Sequence, residues 1–178
     1  MTFLELVSYR RSVRSYRDDT VPKEVIETCL EAGRLAPSAC NAQPWHFAVV
    51  EKEALRRSLA EESRLPGTRM NSFVFDAPVV IALLAEQPNI TSQIGGFLKG
   101  KPFYLMDLGI VAEHICLQAA ELDLGSCMIG WFNEKRVARL LGLSPGKRVA
   151  LLITIGYPAD KARPKRRKSL EEIVSWYR

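Results

Sequence analysis

Three arginines and a serine lie within five residues near the start of the chain, in the run Arg10-Arg11-Ser12-Val13-Arg14. A guanidinium keeps its charge and presents N–H donors as a fork that fits two phosphate oxygens, and a serine hydroxyl adds a further donor. The run therefore suits a phosphate group. The alternative is a solvated cationic turn, because many charge clusters on protein surfaces bind no ligand.

A second polar segment, residues 37–47, reads Pro-Ser-Ala-Cys-Asn-Ala-Gln-Pro-Trp-His-Phe. Its two prolines exclude one regular helix through the segment. Between them, Ser38, Asn41 and Gln43 can donate and accept hydrogen bonds, which suits the edge of an aromatic heterocycle. The first segment could therefore hold a phosphate and the second a ring, as a flavin mononucleotide requires.

Together the two segments resemble the nitroreductase family of flavin-dependent oxidoreductases, which have an Arg-[Arg/His]-Ser-x-[Arg/Lys] run and a Pro-Ser-x-x-Asn-x-Gln-Pro-Trp loop. The resemblance continues in Gly125–Trp131, in Thr154–Pro158 and in the basic stretch that ends at Arg167–Glu172. It implies an α+β fold with a central, mostly antiparallel sheet flanked by helices, in an intertwined homodimer. It also implies a single FMN-binding domain over residues 1–178, with a C-terminal arm from about residue 159.

The resemblance implies FMN as the cofactor, NADH or NADPH as a transient reductant, and a small electron-poor aromatic acceptor such as a nitroaromatic or a quinone. Hydride would pass through the flavin in ping-pong fashion. The FMN phosphate and ribityl chain would be held by residues from both ends of the chain: Arg10, Arg11, Ser12, Lys165 and Arg167. Arg14 would stabilise the negative charge that two-electron reduction places at the pyrimidine end of the ring.

Other parts of the chain would contact the flavin ring. The neighbouring subunit would supply Pro37, Ser38, Ala39, Cys40, Asn41 and Gln43, so that active sites are shared across the dimer. Asn71 would bond the pyrimidine edge, or would instead stabilise a loop turn. The backbone of Met128, Ile129 and Gly130 would pass the ring, with an amide N–H bonded to N5, for which no particular side chain is needed.

Two alternative functions stay open at this point. A relative on the same scaffold could fragment flavin, dehalogenate iodotyrosine or oxidise a heterocycle, and a protein of another class could bind flavin without turnover. The segment Gly95–Lys101 has the spacing of a phosphate-binding P-loop, but Pro102 stands where a serine or threonine should hold magnesium. We therefore exclude a nucleotide triphosphatase and expect residues 86–102 to form a loop that lines the substrate pocket.

Composition sets further limits. The 178 residues fit one domain. Part of the net charge of +5 lies in Lys161–Lys168, and no aromatic residue is interleaved with these cations. We therefore expect no nucleic-acid partner. The four cysteines form no Cys-x-x-Cys pair, so we expect no zinc site. The N-terminus has no leader-like pattern, so we expect a cytoplasmic protein with no membrane anchor.

Hydrophobic spacing predicts the order of helices and strands. We expect helices over residues 2–9, 22–36, 52–64, 102–122 and 134–141, and strands over 47–50, 79–84, 126–130 and 149–156. Strand 79–84 is apolar throughout, which predicts burial on both faces. Pro44, Trp45 and Phe47 are predicted to pack in the core, and Cys40 to be a buried, unreactive thiol. Cys127 is predicted to be a packing residue.

Overall fold

The centre of the protein is a four-stranded antiparallel sheet, seen in a computed structural model that describes residues 1–86, 100–144 and 146–178. Its strands are β1 (Trp45–Val50), β2 (Val79–Ala85), β3 (Gly125–Ile129) and β4 (Arg148–Gly156), in the order β1-β2-β4-β3. The α+β class with an antiparallel sheet is confirmed. The loop predicted over residues 86–102 and the glycine-rich segment within it fall almost wholly outside the described residues.

The helices of the described residues precede, connect and follow these strands along the chain. They are α1 (Phe3–Tyr9), α2 (Lys23–Arg34), α3 (Glu53–Ser63), α4 (Phe103–Glu121), α5 (Glu134–Leu140) and α6 (Leu170–Ile173), with 3-10 turns at Ala39–Asn41 and Ser72–Phe75. α1 begins with a capping box, in which the Glu5 amide donates to the Thr2 hydroxyl at 3.3 Å and the Thr2 amide to the Glu5 carboxylate at 2.6 Å. All five helices predicted from hydrophobic spacing are confirmed, with small shifts at their ends.

β2 separates two hydrophobic cores, because successive side chains of a strand face opposite sides of its sheet. Val80 and Leu84 belong to one core, and Ile81 and Leu83 to the other. The strand is buried on both faces, as its apolar sequence predicts. The predicted core positions in β1 and just before it are also confirmed, since the proline at position 44 is buried and the aromatic side chains at 45 and 47 pack against the second core.

α4 is the main helix of the second core. Gly33 of α2 permits close packing there, since a Cβ at this position would lie 2.8 Å from Ile115 Cγ1. Among the described helices, α4 is the one long and apolar enough to cross a membrane, but 44% of the relevant window is buried inside the protein. Its packing against α2 and the sheet is that of a core helix.

Candidate functional site

The Arg10–Arg14 run lies along the outer edge of β3. Val13 donates its amide to the Ser126 carbonyl at 2.9 Å, and its side chain is only 2% exposed. This packing needs a glycine in the strand, because a Cβ on Gly125 would lie 2.6 Å from Val13 Cγ2. With Val13 facing inward, the neighbouring Ser12 and Arg14 are exposed and accessible to a ligand.

Tyr16 fixes the end of the same run. Its hydroxyl donates to the Val13 carbonyl at 3.0 Å and lies 2.7 Å from Thr154 Oγ1 in β4. Burial raises the pKa of Tyr16 well above its usual value, so the phenol stays neutral at physiological pH. The backbone that carries the arginines is thereby attached to two strands.

The C-terminal arm, residues 159–178, begins by returning to this run. The Arg17 amide donates to the Tyr157 carbonyl at 2.9 Å, and the Ala159 amide donates to the Ser15 carbonyl at 2.9 Å. Further along the arm, Lys165 Nζ donates to the carbonyl of Val7 in the last turn of α1 at 2.7 Å. A cation suits that position, since carbonyls at a helix C-terminus lack partners within the helix.

A cavity of about 490 Å³ lies between the arm and the arginine run. We call it the basic cavity, because six cationic side chains and one acid line it, with two serines and a proline. It brings together six of the predicted site residues: Arg10, Arg11, Ser12, Arg14, Lys165 and Arg167. Sequence reasoning missed Arg163, which also lines the cavity, although it stands in the same basic stretch.

The cations of the basic cavity are only partly neutralised. Arg10 Nε lies 3.1 Å from Glu113 Oε1, but the two atoms are not aligned as a hydrogen bond, and this buried Nε has no hydrogen-bond partner among the described residues. Burial, and then the charges of Arg10 and Arg167, lower the pKa of Lys165. Such crowding of like charges favours an anion in the cavity.

Arg11 is different, because its guanidinium is already paired. Nη1 donates to Asp160 Oδ2 at 2.9 Å, and Nη2 donates to Asp160 Oδ1 at 2.9 Å and to the Asp160 carbonyl at 2.8 Å. These hydrogen bonds lower the pKa of the Asp160 carboxyl.

Arg14 links the basic cavity to a second group of predicted residues. Its guanidinium carbon lies 6.0 Å from the centre of the Phe73 ring. Asn71, two residues earlier, has a left-handed backbone with φ of 59° and donates Nδ2 to the carbonyls of Ser63 at 3.0 Å and Trp131 at 3.2 Å. The Asn71 side chain thus ties its loop to the end of β3.

The end of β3 changes from buried to accessible within three residues. Met128 is half-buried and Ile129 is buried, whereas Gly130 is exposed and has open space where a Cβ would point. Trp131 beyond it is 58% exposed. Open space beside Gly130 suits a position at which a cofactor ring could approach the backbone.

The polar loop at residues 37–43 lies outside the basic cavity of its own chain. Cys40, Asn41 and Gln43 have positive φ values of 53°, 49° and 45°, a conformation that is costly for residues other than glycine. Within the loop, the Gln43 amide donates to Ser38 Oγ at 2.9 Å. Cys40 and Asn41 are exposed, so the prediction that Cys40 is buried is wrong: this tight turn keeps the side chain at the surface.

Asp107 of α4 holds this loop, which sequence reasoning did not foresee. Its Oδ1 accepts the Ala39 amide at 3.0 Å, and the residue is only 4% exposed. Its other oxygen has no hydrogen-bond partner among the described residues. An aspartate inside a largely apolar helix was the available signal, since acids are rarely buried without a partner.

A larger cavity of about 580 Å³ has an acidic lining that includes Asp18, Asp19, Glu51, Glu53 and Asp76. Such a lining repels a phosphate, and its arginines at positions 56 and 57 are outnumbered. The basic cavity is therefore the better candidate for an anionic ligand, although it is the smaller of the two.

The chain as a whole is similar to known proteins. The model of the Nitroreductase family matches residues 7–157. An NADH dehydrogenase of Thermus thermophilus is 30% identical, over 94% of this chain and 92% of its own length. The structure of an FMN-dependent nitroreductase from Clostridium difficile superposes with a TM-score of 0.80 at 26% identity, over 97% of this chain and 98% of that one. Iodotyrosine deiodinase 1 of Mus musculus is 28% identical, over 97% of this chain and 68% of its own length.

Proposed function

The chain belongs to the nitroreductase family, and we propose that it is an FMN-dependent oxidoreductase that uses NADH or NADPH to reduce small electron-poor aromatic acceptors. The observation that carries this proposal is the basic cavity. It brings the cationic residues of the N-terminal run and those of the C-terminal arm together in one place, with one acidic residue, Asp160, in its lining.

The residues present fit an FMN phosphate. A phosphate monoester carries close to two negative charges at neutral pH, and the cavity offers several guanidinium and ammonium donors with Ser12 beside them. Arg10 and Lys165 are partly buried, where a charge-assisted hydrogen bond is less weakened by water. The fit to a single terminal phosphate favours FMN over FAD.

We propose that the ring of the cofactor extends from this cavity past Arg14. Arg14 lines the cavity and also lies over Phe73, and Asn71 joins that region to the end of β3. We place the ring between Arg14 and Gly130, with the Arg14 charge near the pyrimidine end and a backbone N–H of the Gly130 region directed at N5. Asn71 Nδ2 is committed to two carbonyls, so its role in the proposal is to orient this region.

FMN, when bound, supplies the two-electron carrier between the reduced nicotinamide and the acceptor. The chain contributes binding, orientation and electrostatics. Arg14 stabilises negative charge that develops beside it, and the exposed edge at Gly130 leaves room for nicotinamide and acceptor to bind in turn, in ping-pong fashion.

The shared site of a homodimer is part of the proposal. The loop at residues 37–43 has exposed polar side chains but lies outside its own chain's basic cavity. A second copy of the chain would bring this loop to the ring, as the resemblance implies. This arrangement would give the strained loop a function, since strained backbone often marks binding sites. A cytoplasmic location stays a prediction, to be checked by cell fractionation.

The test begins with the absorbance spectrum of the purified protein and the stoichiometry of extracted flavin. We expect a yellow protein with one FMN per subunit, and FMN binding much tighter than that of riboflavin, which lacks the phosphate. Anaerobic stopped-flow mixing with NADH or NADPH should then bleach the flavin absorbance. A colourless protein that ignores added FMN in a fluorescence titration would refute the proposal, and flavin that is not bleached would indicate a binding protein without turnover.

Reductive dehalogenation is a second candidate, supported by the similarity to the mouse deiodinase. The two reactions are separated by product. Reduction of a nitroaromatic consumes nicotinamide without halide release, whereas dehalogenation of iodotyrosine releases iodide in proportion to the flavin oxidised. Iodide release from iodotyrosine in preference to nitroaromatic reduction would favour this candidate.

A further inference from the structure

The guanidinium of Arg11 is occupied by the carboxylate of Asp160 rather than left open to the basic cavity. Three hydrogen bonds of 2.8 to 2.9 Å join the two residues, and the Arg11 side chain is only 20% exposed. A planar fork bonded to both carboxylate oxygens is the geometry that arginine would otherwise use for a phosphate. Asp160 therefore stands where a phosphate would stand on Arg11.

Asp160 lies at the point where the arm leaves the body of the protein. Immediately before it, the Ala159 amide is hydrogen-bonded to the Ser15 carbonyl. Immediately after it, residues 161–164 are exposed, and Lys165 then reaches the Val7 carbonyl. The Arg11–Asp160 pair thus fastens the segment that leads to Lys165 and Arg167.

We propose that Arg11 is a positioning residue, whose pairing with Asp160 fastens the C-terminal arm and so completes the basic cavity. This inference rests on the proposed function for the identity of the ligand, a phosphate monoester. The phosphate is then bound by Arg10, Ser12 and the arm's own cations, and Arg11 does not contact it directly.

Electrostatics supports this division of roles. A phosphate that took the Arg11 fork would have to displace Asp160, leaving a carboxylate close to a dianion without its partner. Arg10 differs, because its Nε lies 3.1 Å from Glu113 Oε1 without an aligned hydrogen bond. A phosphate in the Arg11 fork would break the three hydrogen bonds to Asp160, whereas the described residues form no aligned hydrogen bond with Arg10 Nε.

The first measurement uses the full-length protein without FMN and asks whether the arm is fastened. Endoproteinase Lys-C cleaves after lysine, and the informative site is Lys165, because its side chain is held at the Val7 carbonyl and none of the substitutions is adjacent to it. We expect Arg11→Ala, Asp160→Ala and the double variant all to be cleaved in the arm on the order of tenfold faster than wild type, since cleavage follows the population of the open form. The matched control is Asp19→Ala, which breaks the exposed pair between Arg17 and Asp19 and should leave the rate unchanged.

The second measurement is FMN affinity by fluorescence titration of the same variants. Each single variant should bind FMN on the order of tenfold more weakly, and the double variant should bind no more weakly than either single one. If Asp160→Ala retains or gains affinity while Arg11→Ala loses it, Arg11 contacts the phosphate directly and the inference is wrong. If the variants bind FMN as tightly as the wild-type protein and are cleaved in the arm at the same rate, the fastening role is wrong and the proposed function is unaffected. Wild-type protein that binds no FMN, whatever its cleavage rate, would refute the proposed function.

Discussion

Arg14 is the residue at which the basic cavity meets the region proposed for the flavin ring, since it lines the cavity and also lies over Phe73. We expect Arg14→Ala to lower the reduction potential of bound FMN more than it weakens FMN retention, because its charge matters most after reduction. Arg10→Ala should have the opposite pattern and release the cofactor, at a cost on the order of 1.5–3 kcal/mol. Potentiometry and fluorescence titration provide the two values.

Arg17→Ala is the control for Arg14. It also removes an exposed cation that lies over an aromatic ring, at 5.0 Å from the centre of Tyr157, but its side chain does not line the basic cavity. Its potential should match that of wild type. An unchanged potential in Arg14→Ala would contradict the role given to this residue.

The cysteines give a second test at the residue scale. Burial raises the pKa of Cys29 to about 11 and of Cys116 to about 12, and it also raises that of Cys127. Because the thiolate is the reactive form, these three should stay protonated and unreactive at pH 8. Exposed Cys40 should be the one thiol alkylated by iodoacetamide in the native FMN-free protein, and FMN should slow the reaction if the loop contacts the cofactor.

Mass spectrometry after proteolysis identifies the labelled position. Cys40→Ser should abolish labelling of the native protein, whereas in denaturant all the remaining thiols should react. Labelling of Cys116 at the rate of Cys40 in the native state would show that the core around α4 opens readily.

At the scale of elements, the contact between the arginine run and β3 depends on Gly125. A methyl group there would lie 2.6 Å from Val13 Cγ2, in a packed core that cannot relax without cost. We expect Gly125→Ala to destabilise the protein by about 1–3 kcal/mol, as overpacking does, and to weaken FMN binding by displacing the run. Denaturant unfolding and FMN titration measure the two effects.

Gly130→Ala is the matched substitution at the other end of the strand. Space around Gly130 is open, so the stability of the Gly130→Ala variant should remain close to that of the wild-type protein. Any loss of FMN binding in this variant would then report the approach of the ring to this backbone. Equal stability of the Gly125 and Gly130 variants would show that Val13 does not require the close approach.

The loop at residues 37–43 depends on a different element, because Asp107 of α4 accepts the Ala39 amide. Asp107→Ala should release the loop from its strained conformation and weaken FMN binding about tenfold, the effect of losing one hydrogen bond to a charged group. Asp107→Asn keeps an acceptor for the amide and should retain more of the affinity. Ser63→Ala controls for a general loss of stability, because it removes a buried hydroxyl that donates a local hydrogen bond to the Leu59 carbonyl.

Local pattern predicts most of the elements, and six of the predicted site residues line the basic cavity. Strand β2 was predictable because a short, fully apolar run is typical of a buried strand. The Arg10–Arg14 run was predictable because arginine and serine at this spacing suit a phosphate. Cys40 was predicted wrongly, because its loop contains three residues with positive φ and is held through Ala39 by Asp107, 68 positions further along the chain. The Arg11–Asp160 pair joins residues 149 positions apart, and such pairing cannot be read from either segment alone.

At the scale of the whole molecule, apolar side chains are exposed on three elements of the described part of the chain. On α1, Phe3 and Leu4 are exposed, as are Leu105 and Met106 on α4. Trp176 and Tyr177, near the end of the arm, are 78% and 95% exposed. Apolar residues grouped in this way usually mark an interface, and a second copy of the chain would cover them while bringing the 37–43 loop to the ring.

We therefore expect an obligate homodimer whose two arms wrap the partner subunits, so that folding and association are inseparable. Sedimentation of the full-length protein should show a single dimeric species, and truncation after Asp160 should lose both the dimer and FMN. Truncation after Ser169 separates the two roles of the arm, because it keeps Lys165 and Arg167 but removes α6 and the terminal aromatic residues. This shorter truncation should weaken the dimer while each remaining dimer still binds FMN. A flavin-loaded monomer in the full-length protein would disprove the shared site, and a stable, fully loaded dimer after truncation at Asp160 would disprove the role of the arm.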